Sequence, residues 1–473
     1  MSFLSRGWLV PIHCGPAHLS TSLPREIDVP ARFWRSSQFW WLCLLGLAVL
    51  LRLGVIVSRP SQLTIDRDLY LGIAEGIRAG HGYSTPGSLP PAATAFRSPL
   101  YPMLLVLTGG SPVGIAGLHV LLAVCMVLAT GKAARKLVED AGRSVSLASQ
   151  FLAGGIVAFD PLLLLYSSQP MTETLCSCLT AVLLCWLSGS QKRTNQMAIV
   201  EGVIWGLCLL ARPTYAVAFG LSLLGRGILV SEVSKDPLPI PPRQQGWHAW
   251  FPRWRVGIVM LVVTLGVVSP WAIRNWMVFG KPIVTTTHGG YTLWLANNPI
   301  YYSEVIEGDD AVWDGKSLGQ WQAETDAEMD RLHIQGEVAR DRWLSTHAQR
   351  FIRDNPWRFV RACLHRAEIF WSIFPGRSAD AGVPLPMLWV MAGGYAALWV
   401  GGIVALGRLR SRERWASAWP ALSLILGFFV VHLVYWTDVR MRAPIMPAVA
   451  VLLAVGVSPT RRKVGESNSP AGR

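Results

Sequence analysis

The sequence predicts an all-α polytopic membrane protein with about ten transmembrane helices and further helices at the outer membrane surface. Of its 473 residues, 51% are hydrophobic and 15% are charged, whereas an average soluble protein has roughly 25% charged residues. The mean hydropathy is +0.36. So few charges cannot cover the surfaces of several soluble domains, and so high an apolar content excludes a disordered chain. A membrane protein remains.

The charge distribution predicts the orientation in the membrane. The 43 Lys and Arg residues outnumber the 29 Asp and Glu residues, which gives a net charge of +14. In a soluble protein this excess would suggest a nucleic-acid partner, but here the basic residues gather in short segments between apolar runs, as in cytoplasmic loops. These residues are Lys132, Arg135, Lys136, Arg143, Lys192, Arg193, Lys235, Arg243, Arg253, Arg255, Arg408, Arg410, Arg412, Arg414, Arg461, Arg462 and Lys463. The pattern predicts an inner-membrane protein with both termini in the cytoplasm and no nucleic-acid partner.

Ten apolar runs account for the predicted spans. The first begins too late in the chain for an ordinary cleaved signal peptide. The fifth is short for a span, yet fusing it with the sixth would invert the later topology and break the charge bias, so two helices are predicted. The runs are 39–57, 112–130, 145–166, 171–187, 197–211, 214–230, 256–276, 384–406, 416–436 and 444–457. We therefore divide the chain into a cytoplasmic segment 1–37, a membrane domain 38–458 and a cytoplasmic tail 459–473.

Two predicted outer segments are too long to be simple connections. We call 58–110 the first loop and 277–383 the large loop. The large loop contains 14 of the 29 acidic residues. Its part from 317 to 370 has the pattern of amphipathic helices interrupted at Asn355-Pro356. Trp357, Phe359 and Trp371 suggest that these helices lie at the membrane interface.

The first loop contains the most informative motif. It includes Asp66 and Asp68, then Tyr70, a helical pattern over 69–79, the string Gly-His81-Gly-Tyr83-Ser, and later Phe-Arg97-Ser-Pro-Leu-Tyr-Pro. Taken alone, an Asp at a helix N-terminus is a favoured capping residue.

The whole string resembles the first extracytoplasmic loop of GT-C membrane glycosyltransferases, particularly relatives of protein O-mannosyltransferases and lipid A aminoarabinose transferases. Further stretches resemble this family in the same order along 39–457. They are Thr172-Glu173, Ala211-Arg212-Pro213, Pro270-Trp-Ala-Ile-Arg274-Asn275, His288-Gly-Gly-Tyr-Thr-Leu-Trp-Leu-Ala-Asn-Asn298, Asn355-Pro-Trp-Arg-Phe359 and Arg440-Met-Arg442-Ala-Pro. The resemblance implies a GT-C fold and an inverting transfer of a hexosyl or pentosyl group from a polyprenyl-phosphate-linked sugar. The acceptor would be a hydroxyl of a glycan, lipid or protein on the extracytoplasmic face.

The resemblance also implies residue roles. Asp66 matches the family's base, and Asp68 is the second candidate because Arg67 stands where mannosyltransferases have Glu. From their positions relative to the predicted helix over 69–79, we expect Asp68 to cap this helix and Asp66 to reach the candidate arginines. The candidate phosphate ligands are Arg97, Arg212, Arg274, Arg440 and Arg442; the candidate sugar or acceptor contacts are Tyr70, His81, Tyr83, Glu173 and His288.

Structural alternatives stay open for several of these residues. Glu173 would equally form an ion pair with Arg212 or Arg274. Two outward arginines, Arg440 and Arg442, oppose the positive-inside bias; phosphate binding would explain them, as would snorkelling towards the interface. His81 and His288 would equally be ordinary loop residues without a ligand.

Rival functions and metal binding complete the expectations. The non-enzymatic alternative is a flippase or transporter of lipid-linked sugars, although the chain has no internal repeat. An oligosaccharyltransferase is disfavoured because no Trp-Trp-Asp-type motif occurs in an outer segment. No cofactor is predicted. A divalent metal is left open, although no pattern supports one, because the outer loops show no paired His/Asp cluster at ligand spacing.

Overall fold

A computed structural model describes residues 37–188, 194–229, 251–308, 315–374, 384–409 and 411–459. The chain divides into two compact units, Met1–Leu42 and Cys43–Arg473. Of the first unit, only residues 37–42 are described, and they form the start of the first helix. The predicted terminal segments lie outside the described ranges except for Ser37 and Pro459. Residues 230–250, which include most of the chain between the predicted runs 214–230 and 256–276, also lie outside them. The following description concerns the second unit.

The described residues form helices, turns and loops. The expected all-α fold is confirmed: these ranges contain no β-strand, and a single antiparallel bridge joins Ser84 to Ala93. The helices are α1 Ser37–Ser58, α2 Tyr70–Arg78, α3 Leu100–Leu107, α4 Pro112–Asp140, α5 Leu147–Phe159, α6 Pro161–Tyr166, α7 Glu173–Leu187, α8 Asn195–Ala211, α9 Tyr215–Leu229, α10 Phe251–Phe279, α11 Gly289–Ala296, α12 Pro299–Tyr301, α13 Gly315–Arg331, α14 Glu337–Asp354, α15 Pro356–Phe370, α16 Leu385–Gly407, α17 Arg412–Val434 and α18 Met446–Val457.

Within the described ranges, six helical segments are long and apolar enough to cross a membrane. They belong to α1, α4, α10, α16, α17 and the segment Val439–Val457 that contains α18. Four shorter apolar helices, α5, α7, α8 and α9, coincide with further predicted runs. The multi-pass membrane architecture is thus confirmed, while the number of ten spans stays a prediction.

Two interruptions of apolar helices follow from local chemistry. The third run breaks at Asp160-Pro161, because Pro161 begins α6 and Asp160 Oδ1 accepts the N–H of Leu163 at 2.9 Å. The run around 197–230 breaks at Arg212, which has an extended backbone before a proline. The predicted separation into two helices is therefore confirmed, and Arg212 is held at the end of α8.

The most enclosed element is α18, which packs against α4, α5 and α16. Around it, α4 packs against α7, α8 against α10, and α9 against α17. Arg52 of α1 points into this interior and donates to the carbonyls of Val157 and Ala158 at 3.1 and 3.2 Å. These carbonyls belong to the last turn of α5, so a buried cation stabilises the end of that helix.

Candidate active site

A cavity of about 570 Å³ lies where the first loop, the large loop and several helix ends meet. Its lining residues come from both loops, from the starts of α7 and α9, and from the ends of α8 and α17. The charged and histidine members are Arg67, Asp68, Arg97, Glu173, Arg212, His288, His432 and Arg440. Four guanidinium groups face two carboxylates, so the lining carries a formal charge of +2 with neutral histidines.

Asp68 is held between two arginines at this cavity. Its Oδ1 lies 2.9 Å from Nη2 of Arg97, and its Oδ2 lies 3.4 Å from Nη1 of Arg440. Burial by itself raises the pKa of Asp68, but the positive charges of Arg440, Arg97 and Arg212 outweigh it and lower the pKa below its usual value. The carboxylate is therefore ionised at neutral pH, and its side chain retains 19% exposure towards the cavity.

Asp66 does not line this cavity. Its two oxygens accept the backbone N–H groups of Leu71 and Gly72 at 3.1 and 2.7 Å, in the first turn of α2. The expected geometry, with Asp68 capping the helix and Asp66 reaching the arginines, is thus wrong. Leu69 immediately before α2 has a left-handed backbone with φ 65°, which alters the chain direction assumed for an uninterrupted helix start.

Glu173 and Arg212 form a second charged pair in the lining, with 3.6 Å between Oε1 and Nη1. Glu173 is 2% exposed, and its Oε2 has no hydrogen-bond partner among the described residues. Two arginines also contact thioether sulfurs: Nη2 of Arg212 lies 2.7 Å from Met441 Sδ, and Nη1 of Arg440 lies 3.5 Å from Met171 Sδ. Because a thioether is a weak acceptor, both cations retain capacity for an anion.

Aromatic rings form another wall of the cavity. The His288 ring lies 4.3 Å from Phe96 and 5.2 Å from Tyr291, measured between centroids. Burial, together with the charges of Arg97 and Arg440, lowers the pKa of His288 well below its usual value. Its buried Nδ1 has no hydrogen-bond partner in the part of the chain that is described. A neutral imidazole is therefore available for a hydrogen bond to a ligand.

Tyr70 lies beside Arg97 in the cavity lining. The Arg97 guanidinium carbon is 5.4 Å from the Tyr70 ring centroid. Burial raises the pKa of Tyr70 to about 12, so the phenol stays protonated. Tyr70 is one of the predicted contacts that the structure brings into the lining.

Glu337 joins the two loops and was not predicted as a site residue. Its carboxylate accepts the Thr94 hydroxyl at 2.6 Å, the Ala95 N–H at 2.8 Å and the Thr287 hydroxyl. These partners directly precede Phe96-Arg97 and His288, which line the cavity. Glu337 therefore positions two cavity walls. A single acidic residue in an amphipathic pattern gives no signal of such distant partners.

Besides Asp66, four predicted site residues lie outside the cavity. Arg274 donates to the carbonyls of Tyr83 and Thr94 at 2.8 and 2.7 Å and fixes the first loop to α10. The hydroxyl of Tyr83 donates to the carbonyl of Arg97 at 2.9 Å. His81 is exposed. Because its donors are committed to backbone carbonyls, Arg274 has a structural role in this position and does not pair with Glu173.

Arg442 is the fourth, and it is fully buried. It donates to the carbonyls of Phe370 and Ser372, and its guanidinium carbon lies 4.2 Å from the ring centroid of Tyr395. It therefore cannot reach a phosphate at the cavity without leaving these partners. Of the arginine pair around Met441, only Arg440 faces the cavity.

No group of three His, Cys, Asp or Glu side chains in the described ranges is arranged to hold a metal ion.

Three described helices of the large loop, α13, α14 and α15, follow the pattern expected for it. The predicted interruption at Asn355-Pro356 separates α14 from α15, and a second one precedes Gly336, whose φ is 83°. In α15, Trp357 is 80% exposed, and its position at the membrane interface stays a prediction.

Comparison with known proteins gives matches at the level of solved structures. The oligosaccharyltransferase AglB from Archaeoglobus fulgidus, in complex with an inhibitory peptide and a dolichol-phosphate, is similar with 13% identity and a TM-score of 0.49. The match covers 89% of this chain and 50% of AglB, so the chain spans about half the length of that enzyme. ArnT from Cupriavidus metallidurans, bound to undecaprenyl phosphate, is similar with 13% identity and a TM-score of 0.37, over 86% of this chain and 78% of ArnT.

The likeness to these two solved structures concerns the fold alone. No family model and no curated protein matches the sequence. At these identities and scores, neither structure identifies a donor, an acceptor or the role of a residue in this chain.

Proposed function

We propose that this protein is an integral membrane inverting glycosyltransferase. It moves a sugar from a polyprenyl-phosphate-linked donor to an acceptor hydroxyl on the extracytoplasmic face of the cell membrane. The observation that carries the proposal is the cavity with four guanidinium groups around an ionised, partly exposed carboxylate. The Lys and Arg distribution supports the outer position of both loops that line it.

The donor's phosphate would bind to Arg97, Arg212 and Arg440. Guanidinium groups bind phosphate oxygens through directed, charge-assisted hydrogen bonds. The cavity also contains apolar side chains of membrane helices, Val217 of α9 and Val431 of α17. This combination suits a ligand whose charged group lies at the membrane edge while its hydrocarbon tail remains in the bilayer.

Asp68 is the base that the geometry supports best. As the acceptor oxygen attacks the anomeric carbon, its proton passes to the Asp68 carboxylate. The bond between the anomeric carbon and the phosphate oxygen breaks, and its electron pair stays on the phosphate. The arginines stabilise the second negative charge that the phosphate gains in this step. Asp66, the family's counterpart in the sequence, accepts two backbone N–H groups instead.

The sugar and acceptor would contact the remaining polar groups of the lining. Glu173 Oε2 and His288 Nδ1 are buried acceptors or donors without partners in the described residues, and hydroxyl groups would satisfy both. The protonated Tyr70 phenol lies on the same wall as Arg97. These three residues are the proposed contacts. His81 and Tyr83 have no support in this role because neither lines the cavity.

The proposal is tested by mass spectrometry of lipids that co-purify with the protein. Asp68→Asn removes the base but keeps the arginines, so this variant should retain an intact polyprenyl-phosphate sugar. The wild-type protein should instead retain the product, polyprenyl phosphate, or only a small amount of donor. Asp68→Asn with Arg440→Ala should lose the bound lipid. A flippase or transporter would give the same lipid profile with and without the Asp68→Asn change, and that result would contradict transferase activity.

A further inference from the structure

We infer that Asp68 and the donor's phosphate compete for the same guanidinium groups, so that donor binding releases the base. The inference rests on the proposed function and specifies how that site is regulated. In the structure Asp68 forms two ion pairs, with Arg97 and with Arg440. The incoming phosphate takes over at least one of these arginines, and only then does the carboxylate become free to accept a proton.

Each oxygen of Asp68 forms an ion pair with an arginine. Oδ1 pairs with Arg97 and Oδ2 with Arg440, at 2.9 and 3.4 Å. Arg97 is fixed further by a hydrogen bond of 2.8 Å from its Nε to the carbonyl of Asp68. A proton on either oxygen would break a charge-assisted contact, so Asp68 is a weak base in this state.

Arg440 is the partner that a phosphate would take at the lowest cost. Its 3.4 Å contact with Asp68 is longer than the Arg97 contact, and its other side-chain partner is the thioether of Met171 at 3.5 Å. A thioether is a weak acceptor, whereas a phosphate oxygen accepts a charge-assisted hydrogen bond. Phosphate binding therefore replaces weak contacts of Arg440 by strong ones.

The exchange changes the chemistry of Asp68 in the required direction. A phosphate near the carboxylate adds a like charge and removes a guanidinium partner, and both effects favour the protonated form of Asp68. Transfer then moves the acceptor's proton to Asp68 while the phosphate gains a negative charge. The neutral Asp68 no longer competes for Arg440, so the dianionic product keeps its ligands until the proton leaves.

The competition also predicts the order of binding. While both oxygens of Asp68 are paired with arginine, the carboxylate is a weak base towards an acceptor hydroxyl. Donor binding must come first. This order prevents activation of an acceptor, or of water, in the absence of a lipid-linked sugar.

The test is the affinity for undecaprenyl phosphate in lipid nanodiscs, measured by native mass spectrometry without any acceptor. If Asp68 competes with phosphate, Asp68→Asn should bind roughly tenfold more tightly than wild type, as expected when one competing charge-assisted contact disappears. Asp330→Asn is the matched control, since Asp330 pairs with Arg340 on the exposed large loop and should leave the affinity unchanged.

Equal or weaker binding by Asp68→Asn would overturn the inference. Weaker binding would mean that Asp68 holds the arginines in place for the phosphate. Asp68→Ser provides a second removal of the charge if the Asn variant does not fold. Failure of wild type to bind undecaprenyl phosphate at all would contradict the proposed donor class. Binding by wild type without a gain in Asp68→Asn would contradict the competition alone.

Discussion

Nη1 of Arg440 lies 3.4 Å from Oδ2 of Asp68, although 372 positions separate the two residues in the chain. The contact connects the first loop with the turn Val439–Ile445 that precedes the last helix, α18. Because α18 is enclosed by α4, α5 and α16, the position of Arg440 depends on the packing of the membrane domain. The candidate site is therefore assembled by the fold and not by one local segment.

Replacing Arg440 with Lys should weaken the binding of undecaprenyl phosphate despite the retained charge. Lys lacks the planar fork that directs several N–H groups at phosphate oxygens, and a lost charge-assisted contact is worth about 1.5–3 kcal/mol. The dissociation constant in nanodiscs should rise roughly ten- to hundredfold. Arg340→Lys, at a half-buried arginine outside the cavity, should have no effect.

The neighbouring Arg442 should respond differently to the same change. Its guanidinium donates to the carbonyls of Phe370 and Ser372 in a fully buried position. Arg442→Lys should therefore lower the thermal unfolding midpoint in detergent, because buried carbonyls lose their donors. An Arg440→Lys protein with normal phosphate affinity and a reduced midpoint would assign Arg440 to structure as well.

Asp68→Asn should reduce sugar transfer by roughly 10²–10⁴-fold, the usual contribution of a positioned base. Asp66→Asn should leave a folded protein with most of its transfer activity, because Asn keeps one of the two acceptor oxygens and Asp66 does not line the cavity. The comparison is made with equal amounts of each purified protein and one polyprenyl-phosphate sugar. Inactive Asp66→Asn beside an active Asp68→Asn would return the base to Asp66.

Removing the Glu337 carboxylate should disturb the cavity from a distance. Glu337→Ala leaves three donors from the two loops without their acceptor, which costs about 1–3 kcal/mol for each group left unsatisfied. We expect a lower unfolding midpoint together with weaker binding of undecaprenyl phosphate, since Arg97 loses its fixed backbone. Glu337→Gln keeps one acceptor oxygen and should show a smaller effect.

Glu324→Ala on the exposed face of α13 is the matched control for this prediction, because Glu324 contacts Gln320 of its own helix. Unchanged phosphate binding in a stable Glu337→Ala protein would show that Glu337 does not position the cavity walls.

His288 should make the protein less stable as the pH falls. Its pKa in the folded protein lies well below its usual value because of burial and the nearby arginines. The unfolded state binds a proton below about pH 6.5 while the folded state does not, so stability decreases as pH falls through that value. His288→Asn removes this contribution. Between pH 7.5 and 5.5 its unfolding midpoint should fall less than that of wild type; an equal fall would contradict the neutral buried imidazole.

Much of the helical framework could be predicted from the sequence. The apolar runs predicted the positions of the membrane helices, the proline signal predicted the break at Asn355-Pro356, and the charge bias predicted that α8 and α9 are separate. These features depend on local periodicity and backbone chemistry, which a single sequence contains. The bounds shifted where polar residues continue a helix, as in α4, which extends to Asp140.

The partners of the charged side chains could not be predicted in the same way. The sequence brought Arg97, Arg212, Glu173, His288 and Arg440 into the candidate set, and all line the cavity. It did not separate Arg440 from Arg442, because two residues in one short turn point to different neighbours. The exchange between Asp66 and Asp68 depends on the left-handed backbone of Leu69, which no residue pattern indicated.

The most direct test is a cryo-EM structure of the wild-type protein in nanodiscs with undecaprenyl phosphate. We expect the phosphate group in the cavity, in contact with Arg440 and with Arg97 or Arg212, and the contact between Asp68 and Arg440 lost or lengthened. A phosphate bound elsewhere, with the Asp68–Arg440 pair intact, would contradict both the proposed donor site and the role of Asp68.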